Sequence, residues 1–189
     1  MTQYFTDETS KGKDFSGEEK QEANYDNCEF IDCSFTGADL SDLNFEDCTF
    51  KSCDFSNAKL LNTAFKNVSF NSCKLIGLQF EKCNPFLLAF TFNSCILNYA
   101  TFYQLKIPGT RFSNCMLLEA DFTETDLTGA TIEDCNFSGA MFGNTRLENA
   151  DFRGSVDFSI DPDQNQLSGA SFSLESLPGL LQKYGIKVQ

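Results

Sequence analysis

Residues 28–60 read CEFID-CSFTG-ADLSD-LNFED-CTFKS-CDFSN-AKL. In each five-residue unit the third residue is Phe or Leu, and the first is Cys, Ala or Leu. A period of five fits neither the 3.6-residue turn of an α-helix nor the two-residue alternation of a lone β-strand. It fits a chain that turns a corner every five residues, so that two side chains of each unit point inward and three face water.

The same period extends over most of the chain. The central residue is Phe, Tyr, Leu or Ile at every fifth position from Tyr25 to Phe80, and again from Phe92 to Phe152, two residues out of step. The composition agrees, with 21 Phe, 5 Tyr and no Trp, because one kind of ring fills the same position repeatedly. Self-similarity at a fixed period predicts a stacked repeat architecture.

The motif Ala/Cys-Asp/Asn-Leu/Phe-X-X, as in residues 38–42 and 150–154, resembles the pentapeptide-repeat family over about residues 24–154. The resemblance implies an all-β fold: a right-handed quadrilateral β-helix in which four units form one square coil. Coils would stack at strand spacing, about 4.8 Å. We expect a polar N-terminal cap over 1–23 and the repeat over 24–155, interrupted at 81–91. A C-terminal cap and dimerisation module with a short helix is expected over 156–189.

The nine cysteines all occupy the inward position for a small residue. They are Cys28, Cys33, Cys48, Cys53, Cys73, Cys83, Cys95, Cys115 and Cys135. If two extra residues near Pro85 bulge outward, six of them form one column, from Cys33 to Cys135. Stacked side chains point the same way, which is the wrong direction for a disulfide bridge. We therefore expect nine free thiols that pack as small apolar groups, with a metal or redox site as the alternative.

The charge and the absence of one residue type restrict the function. The chain has no His and a net charge of −13. Without His, the common acid–base, nucleophilic and metal sites that depend on imidazole are excluded. An acidic surface repels phosphate backbones, so we expect no direct nucleic-acid binding. The sequence predicts a cytoplasmic, non-enzymatic protein with no membrane segment and no catalytic, cofactor-binding or metal-binding residues.

Two surface features are candidates for binding a partner. The interruption puts Pro85 where a central inward residue is expected, and it is either a harmless bulge or a binding loop formed by Asn84, Pro85, Phe86 and Leu87. The segment from Phe112 to Glu175 contains twelve acidic residues and two Arg. It is either a solvated surface or a partner-binding acidic face, because paired carboxylates on a convex rod lack a catalytic cleft. The candidate acidic residues are Glu119, Asp121, Glu124, Asp126, Glu133, Asp134, Glu148 and Asp151.

The tail from Leu174 to Gly185 resembles the C-terminal module of Qnr-type quinolone-resistance and microcin B17 immunity proteins. That resemblance implies a homodimer joined end to end, or alternatively a cap without dimerisation. The dimerisation residues would be Leu177, Leu180, Leu181, Tyr184, Ile186 and Val188. It also implies a DNA mimic that binds a type II topoisomerase, DNA gyrase, and protects it from poisons such as quinolones or peptide toxins. The alternative is a general interaction scaffold with no topoisomerase role.

Overall fold

A computed structural model describes residues 2–17 and 22–186 of the chain. Within them are eleven short strands. The strands are β1 (Gln3–Thr6), β2 (Thr9–Lys11), β3 (Ala23–Asp26), β4 (Glu29–Ile31), β5 (Asn44–Glu46), β6 (Thr49–Lys51), β7 (Ala64–Lys66), β8 (Val68–Asn71), β9 (Phe90–Asn93), β10 (Arg111–Ser113) and β11 (Thr131–Glu133). The helix α1 spans Pro178–Leu181, and single 3₁₀ turns cover Phe80–Lys82, Leu174–Ser176 and Gln182–Tyr184.

All strand pairing is parallel and joins one coil to the next. The strands β1, β3, β5 and β7 form one sheet, face 1, and the other seven strands form a second sheet, face 2. Faces 3 and 4 are held by isolated parallel bridges, such as Ser34↔Asp54 on face 3 and Asp39↔Lys59 on face 4. Partners lie 20 residues apart, as in Phe30↔Phe50. The predicted four-sided parallel β-solenoid is confirmed.

Columns of stacked side chains fill the interior. On face 4 the rings of Phe80, Phe102 and Phe122 stack with centroids 4.8 Å apart and interplanar angles of 7° and 3°. Rings of opposite faces meet edge to face across the interior, as Phe102 of face 4 meets Phe112 of face 2 at 5.8 Å and 87°. Both geometries are favourable for aromatic pairs. Because the central Phe rings between the two end coils are buried, the hydrophobic effect supplies most of the stability of the rod.

The small inward side chains also hydrogen-bond the preceding coil. The Thr125 hydroxyl donates to the carbonyl of Phe102 at 2.8 Å, and the Cys53 thiol lies 3.4 Å from the carbonyl of Phe30. In both cases the acceptor is 23 residues earlier. Thr, Ser and Cys therefore recur at this position because they are small and each carries a donor.

The cysteine column is present as predicted. All nine thiols are buried and free. The Cys135 sulfur lies 3.4 Å from the backbone nitrogen of Cys115, one coil away. Burial raises the pKa of the Cys48 thiol to about 12. Residues 2–17 and 22–186 contain no group of three or more His, Cys, Asp or Glu that could hold a metal ion.

The corners explain which residues follow each central position. The second residue after the centre adopts left-handed backbone, with φ of 64° at Asp42, 57° at Asn62 and 70° at Gly109. Gly, Asn and Asp tolerate this conformation better than other residues. At Pro108-Gly109 the Thr110 amide closes the turn onto the carbonyl of Ile107 at 3.4 Å. Five-residue corners thus depend on turn chemistry at one repeated position.

Both ends of the solenoid extend beyond the predicted boundaries. β1 pairs with β3 from Gln3↔Ala23 onward, inside the segment predicted as a polar cap. The five-residue period continues there through Phe5 and Phe15, although Ser10 interrupts it. At the other end, parallel bridges continue to Asp151↔Ser171. An end coil buries only one side of its interior, so an irregular central residue costs less there.

In the last coil the five-residue spacing breaks down, but other residues fill the interior positions that a central residue occupies elsewhere. Phe158 and Ile160 are buried; the Phe158 ring centroid lies 5.8 Å from that of Phe152, and the Ile160 amide donates to the Gly179 carbonyl of α1 at 3.0 Å. A Cβ on Gly179 would lie 2.5 Å from the Phe158 carbonyl oxygen, so only glycine permits this close approach. Pro178 begins α1, and Gly185 ends the following 3₁₀ turn in left-handed conformation with φ of 61°. The predicted short C-terminal helix is confirmed.

The interruption shifts the register by two residues, as predicted, but Pro85 is not an inward residue. Phe70 pairs with Phe92, 22 residues later, whereas Phe50 pairs with Phe70. Pro85 is exposed, and Phe90 takes the interior position beside Phe65, with ring centroids 5.9 Å apart. The prediction for Pro85 was wrong because Phe90 fills that space better than a pyrrolidine ring.

Candidate binding surfaces

The eight acidic candidates form a band around the rod rather than one face. Asp126 and Glu148 lie on face 1, Glu133 and Asp151 on face 2, and Asp121 on face 4. The other three occupy corners and have left-handed backbone. They are Glu119, Glu124 and Asp134. We call the eight residues the acidic band; the expectation of a single acidic face was wrong because five-residue spacing distributes neighbouring units over successive faces.

Three members of the band are paired with arginine. Arg146 contacts Asp126 at 3.0 Å and Glu148 at 3.5 Å, and Arg153 binds Asp151 at 2.7 Å. The hydrogen bond from Arg153 lowers the pKa of the Asp151 carboxyl. Partial burial opposes ionisation of Asp126, but the hydrogen bonds from Thr128 and the charge of Arg146 together lower its pKa. Arg146 and Arg153 therefore offset the charge of these three carboxylates locally.

The exposed charge of the band lies mainly at its corners. Glu119, Glu124, Glu133 and Asp134 are exposed, and among the described residues none of the four makes an ion pair. Glu119 and Glu124 have φ of 52° and 57°. This left-handed backbone conformation is less favourable for Glu than for Gly, Asn or Asp. Residues kept in unfavourable backbone regions are candidates for a functional role.

The loop at the register shift projects two apolar side chains into solvent. Phe86 is 67% exposed and Leu87 is 64% exposed, and Leu87 has a left-handed φ of 56°. The base of the loop is fixed, because the Asn84 amide donates to the Thr63 carbonyl at 2.9 Å. The Phe86 amide also donates to the Asn84 side chain at 2.9 Å. The structure therefore brings the four predicted loop residues together on one outward turn.

At the C-terminal end of the rod, some apolar side chains of the last turns pack inward, and others are exposed to solvent. Leu180 packs against the core and Leu181 is half-buried, whereas Leu177, Tyr184 and Ile186 are exposed. Val188, the sixth predicted dimerisation residue, lies outside the described residues. Lys183 bridges Asp161 and Asp163, which holds the last turn against the final coil.

A further surface was missed by the sequence analysis. On face 3, Ile76, Ile96, Met116 and Leu118 occupy outward positions in three successive coils, and Tyr99 occupies the adjoining corner. We call these five residues the face 3 patch. The signal was present in the sequence, because outward positions elsewhere in the repeat are mostly polar.

The depressions among the described residues are shallow surface grooves. One, of about 480 Å³, lies on face 4 beside Lys59, Leu61 and Lys82. Every buried side-chain nitrogen or oxygen atom in the described part of the chain has a hydrogen-bond partner. No helix in the portion of the chain with described structure is long and apolar enough to cross a bilayer.

The fold and the period define the class: a four-sided β-solenoid built from five-residue units. The chain matches the family model described as pentapeptide repeat region over residues 23–85 and 78–152, and it belongs to the pentapeptide-repeat family. A search of curated proteins found no match.

A solved structure shares this fold. A trypsin-treated variant of QnrB1, described as a plasmid-mediated fluoroquinolone resistance protein, is 20% identical with a TM-score of 0.64. The match covers 100% of this chain and 98% of that one. HetL, a pentapeptide repeat protein involved in heterocyst differentiation regulation from the cyanobacterium Nostoc sp. strain PCC 7120, is 14% identical, with a TM-score of 0.42. That match covers 89% of this chain and 84% of HetL. At 20% identity the likeness to QnrB1 shows the shared fold.

Proposed function

We propose that this protein is an acidic rod that occupies the DNA-binding surface of a type II topoisomerase, DNA gyrase, and protects the enzyme from poisons such as quinolones or peptide toxins. The observation that carries the proposal is the acidic band, with exposed carboxylates at corners where the backbone disfavours them. The proposal includes action in the cytoplasm and no catalytic step. Likeness in fold to a fluoroquinolone resistance protein supports it.

The charge and dimensions of the rod are comparable to those of a DNA segment. Parallel pairing from Gln3 to Ser171, at about 4.8 Å per coil, gives a rod of about 40 Å. Two protomers joined end to end would span about 80 Å, over which B-DNA carries about 50 phosphate charges. Two copies at −13 each carry −26, about half of that charge. Such a rod can compete with DNA for a basic surface by charge complementarity.

End-to-end dimerisation is part of this proposal. Exposed Leu177, Tyr184 and Ile186 at the C-terminal end would be buried between two protomers. Replacing Tyr184 and Ile186 with Ser should then give a monomer of 21.1 kDa by light scattering, where the unmodified chain gives twice that mass. A monomeric unmodified chain at micromolar concentration would leave the C-terminal segment as a cap only.

The functional test is a gyrase supercoiling and cleavage assay with and without a fluoroquinolone. We expect the unmodified protein to reduce drug-stabilised cleavage, and this effect to weaken as salt rises because exposed charges are screened. A first variant carries Gln or Asn at four exposed members of the band: Glu119, Glu124, Glu133 and Asp134. A matched control removes four exposed carboxylates from the N-terminal coils: Glu8, Asp26, Asp32 and Asp47.

The two variants change net charge equally, so a difference between them reports position. The proposal expects protection to be lost mainly in the first variant. Equal loss in both would mean that only total charge matters. No effect of the unmodified protein on gyrase would refute the proposal and favour the general interaction scaffold.

A further inference from the structure

The face 3 patch is an apolar surface in a part of the rod that should be polar. Ile96 pairs with Met116 in a parallel bridge between successive coils, and Met116 is 46% exposed. The equivalent outward residues two coils below Ile96 are Asp54 and Ser56, and those one coil above Met116 are Asn136 and Ser138. Within the patch Met116 and Tyr99 are exposed and Ile76, Ile96 and Leu118 are half-buried, while Lys74 and Asn98 take the other two outward positions of these coils. Grouped surface apolar side chains with a polar border are typical of interaction sites.

The corner beside the patch gives an independent observation. Its column contains Gly37, Asn57, Gly77, Tyr99, Glu119 and Gly139, all with left-handed backbone. Tyr99 has a φ of 60° and is 50% exposed, so its ring gains little burial to offset the unfavourable backbone. The small residue expected at this corner is therefore replaced only where the corner adjoins the patch. Local rules broken at an exposed position indicate selection for something other than stability.

Charge around the patch indicates the kind of partner. Glu119 shares the corner column with Tyr99, Asp121 lies just beyond that corner on face 4, and Asp134 lies at the opposite corner of face 3. Ion pairs to these three carboxylates are absent from residues 2–17 and 22–186. A second copy of this chain, with a charge of −13, would bring like charges together. A basic partner is complementary.

The size of the patch indicates the element that would cover it. Three coils at about 4.8 Å place its first and last levels about 10 Å apart, which is the width of an α-helix with its side chains. A helix whose axis is perpendicular to the rod axis would cross the patch from Ile96 and Met116 on one side to the corner at Tyr99 on the other. Its apolar face would contact the patch while flanking Lys or Arg residues reach the carboxylates.

We propose that the face 3 patch binds an amphipathic, basic α-helix of a partner protein. This adds a specific apolar contact to the general charge attraction of the acidic band. It rests on the proposed function only in so far as the partner is taken to be gyrase. The apolar contact would set affinity, and the carboxylates would set orientation and the rate of association.

The first test uses a synthetic amphipathic helix of Leu and Lys as the probe. It is titrated into the full chain carrying ¹³C-labelled Ile, Leu and Met methyl groups, observed by NMR. We expect shifts at Ile96, Met116 and Leu118, and an affinity at least about tenfold lower in the variant Ile96→Ser/Met116→Ser, because two interface side chains are removed. Leu61→Ser, at an exposed apolar position on face 4, is the control and should leave the affinity unchanged.

Replacing Tyr99 with Asn separates binding from folding. Asn suits a left-handed corner, so Tyr99→Asn should raise the urea midpoint of unfolding while it weakens binding of the probe. The proposal is overturned if the probe fails to bind, if its shifts map away from face 3, or if the serine and asparagine variants bind it as tightly as the unmodified chain.

Gyrase in place of the probe distinguishes the two proposals. If gyrase binds the unmodified chain and the face 3 variants equally, and the probe does so too, this inference fails and the proposed function stands. If the probe binds face 3 but gyrase does not bind the protein, the proposed function fails and the inference stands. Weaker gyrase binding by the face 3 variants at unchanged net charge would support both.

Discussion

Truncation of one central ring should reveal how much of the stability comes from the stacked interior. Phe102 is fully buried, and its ring stacks on Phe80 and Phe122 with both centroids 4.8 Å away. Removal of a buried Phe side chain costs about 3–5 kcal/mol of stability. Each aromatic pair that is lost costs about 0.5–1.5 kcal/mol beyond the energy of its buried surface area. Because Phe102 loses a stacking partner on both sides, we expect Phe102→Ala to lower the free energy of unfolding by about 4–5 kcal/mol.

The matched variant is Phe102→Leu. Leu40 and Leu60 occupy the same column in earlier coils and are buried there, so the column accepts Leu at a cost of about 1.5 kcal/mol. Urea unfolding followed by far-UV circular dichroism and by tyrosine fluorescence measures both, and coincident curves check that the transition is cooperative. A loss below about 1 kcal/mol for Phe102→Ala, or equal losses in the two variants, would refute a solid interior of stacked rings.

Three further predictions concern the small inward residues and the ion pairs. Native protein at pH 8 should react with no thiol reagent, and denatured protein should show nine thiols, since all nine are buried and free; a native-state count above two would contradict the packing. Thr125→Val, which removes the hydrogen bond to the Phe102 carbonyl, should cost about 1 kcal/mol, whereas Thr125→Ser should cost less if its hydroxyl keeps that bond. A Thr125→Val variant as stable as the unmodified chain would mean that the hydroxyl contributes nothing. Arg153→Gln should raise the pKa of Asp151, seen by ¹³C carboxyl titration, because Arg153 lowers it. The contribution of this pair to stability is present above the unfolded pKa of Asp151 and is lost as the pH falls through its folded pKa. The variant should therefore lose less stability than the unmodified chain as the pH is lowered. An unchanged titration of Asp151 would show that the pair does not form in solution.

Much of the fold could be predicted because one rule repeats at each coil. A central ring, a small inward residue and a left-handed corner are each visible in the sequence, and Phe30, Phe50 and Phe70 stack as their spacing requires. The ends were harder to predict, because an exposed coil tolerates a polar centre such as Ser10. The interruption was partly predicted: spacing fixed its length but could not show that Phe90 would replace Pro85.

The candidate binding surfaces were harder to predict from the sequence than the fold. Composition located the acidic segment but not its distribution around four faces, because that depends on which unit lies on which face. It also could not show that Arg146 neutralises both Asp126 and Glu148. The face 3 patch was missed because the repeat rule concerns inward positions and leaves the outward ones to be read as uniformly polar.

Competition for DNA tests the central functional claim most directly. Gyrase bound to a fluorescent DNA duplex is titrated with the full chain, and fluorescence anisotropy reports whether the duplex is released. The acidic-rod account predicts release at concentrations that rise with salt, and weaker release by the variant that lacks charge at Glu119, Glu124, Glu133 and Asp134. A stable complex that contains gyrase, DNA and this protein together would contradict it.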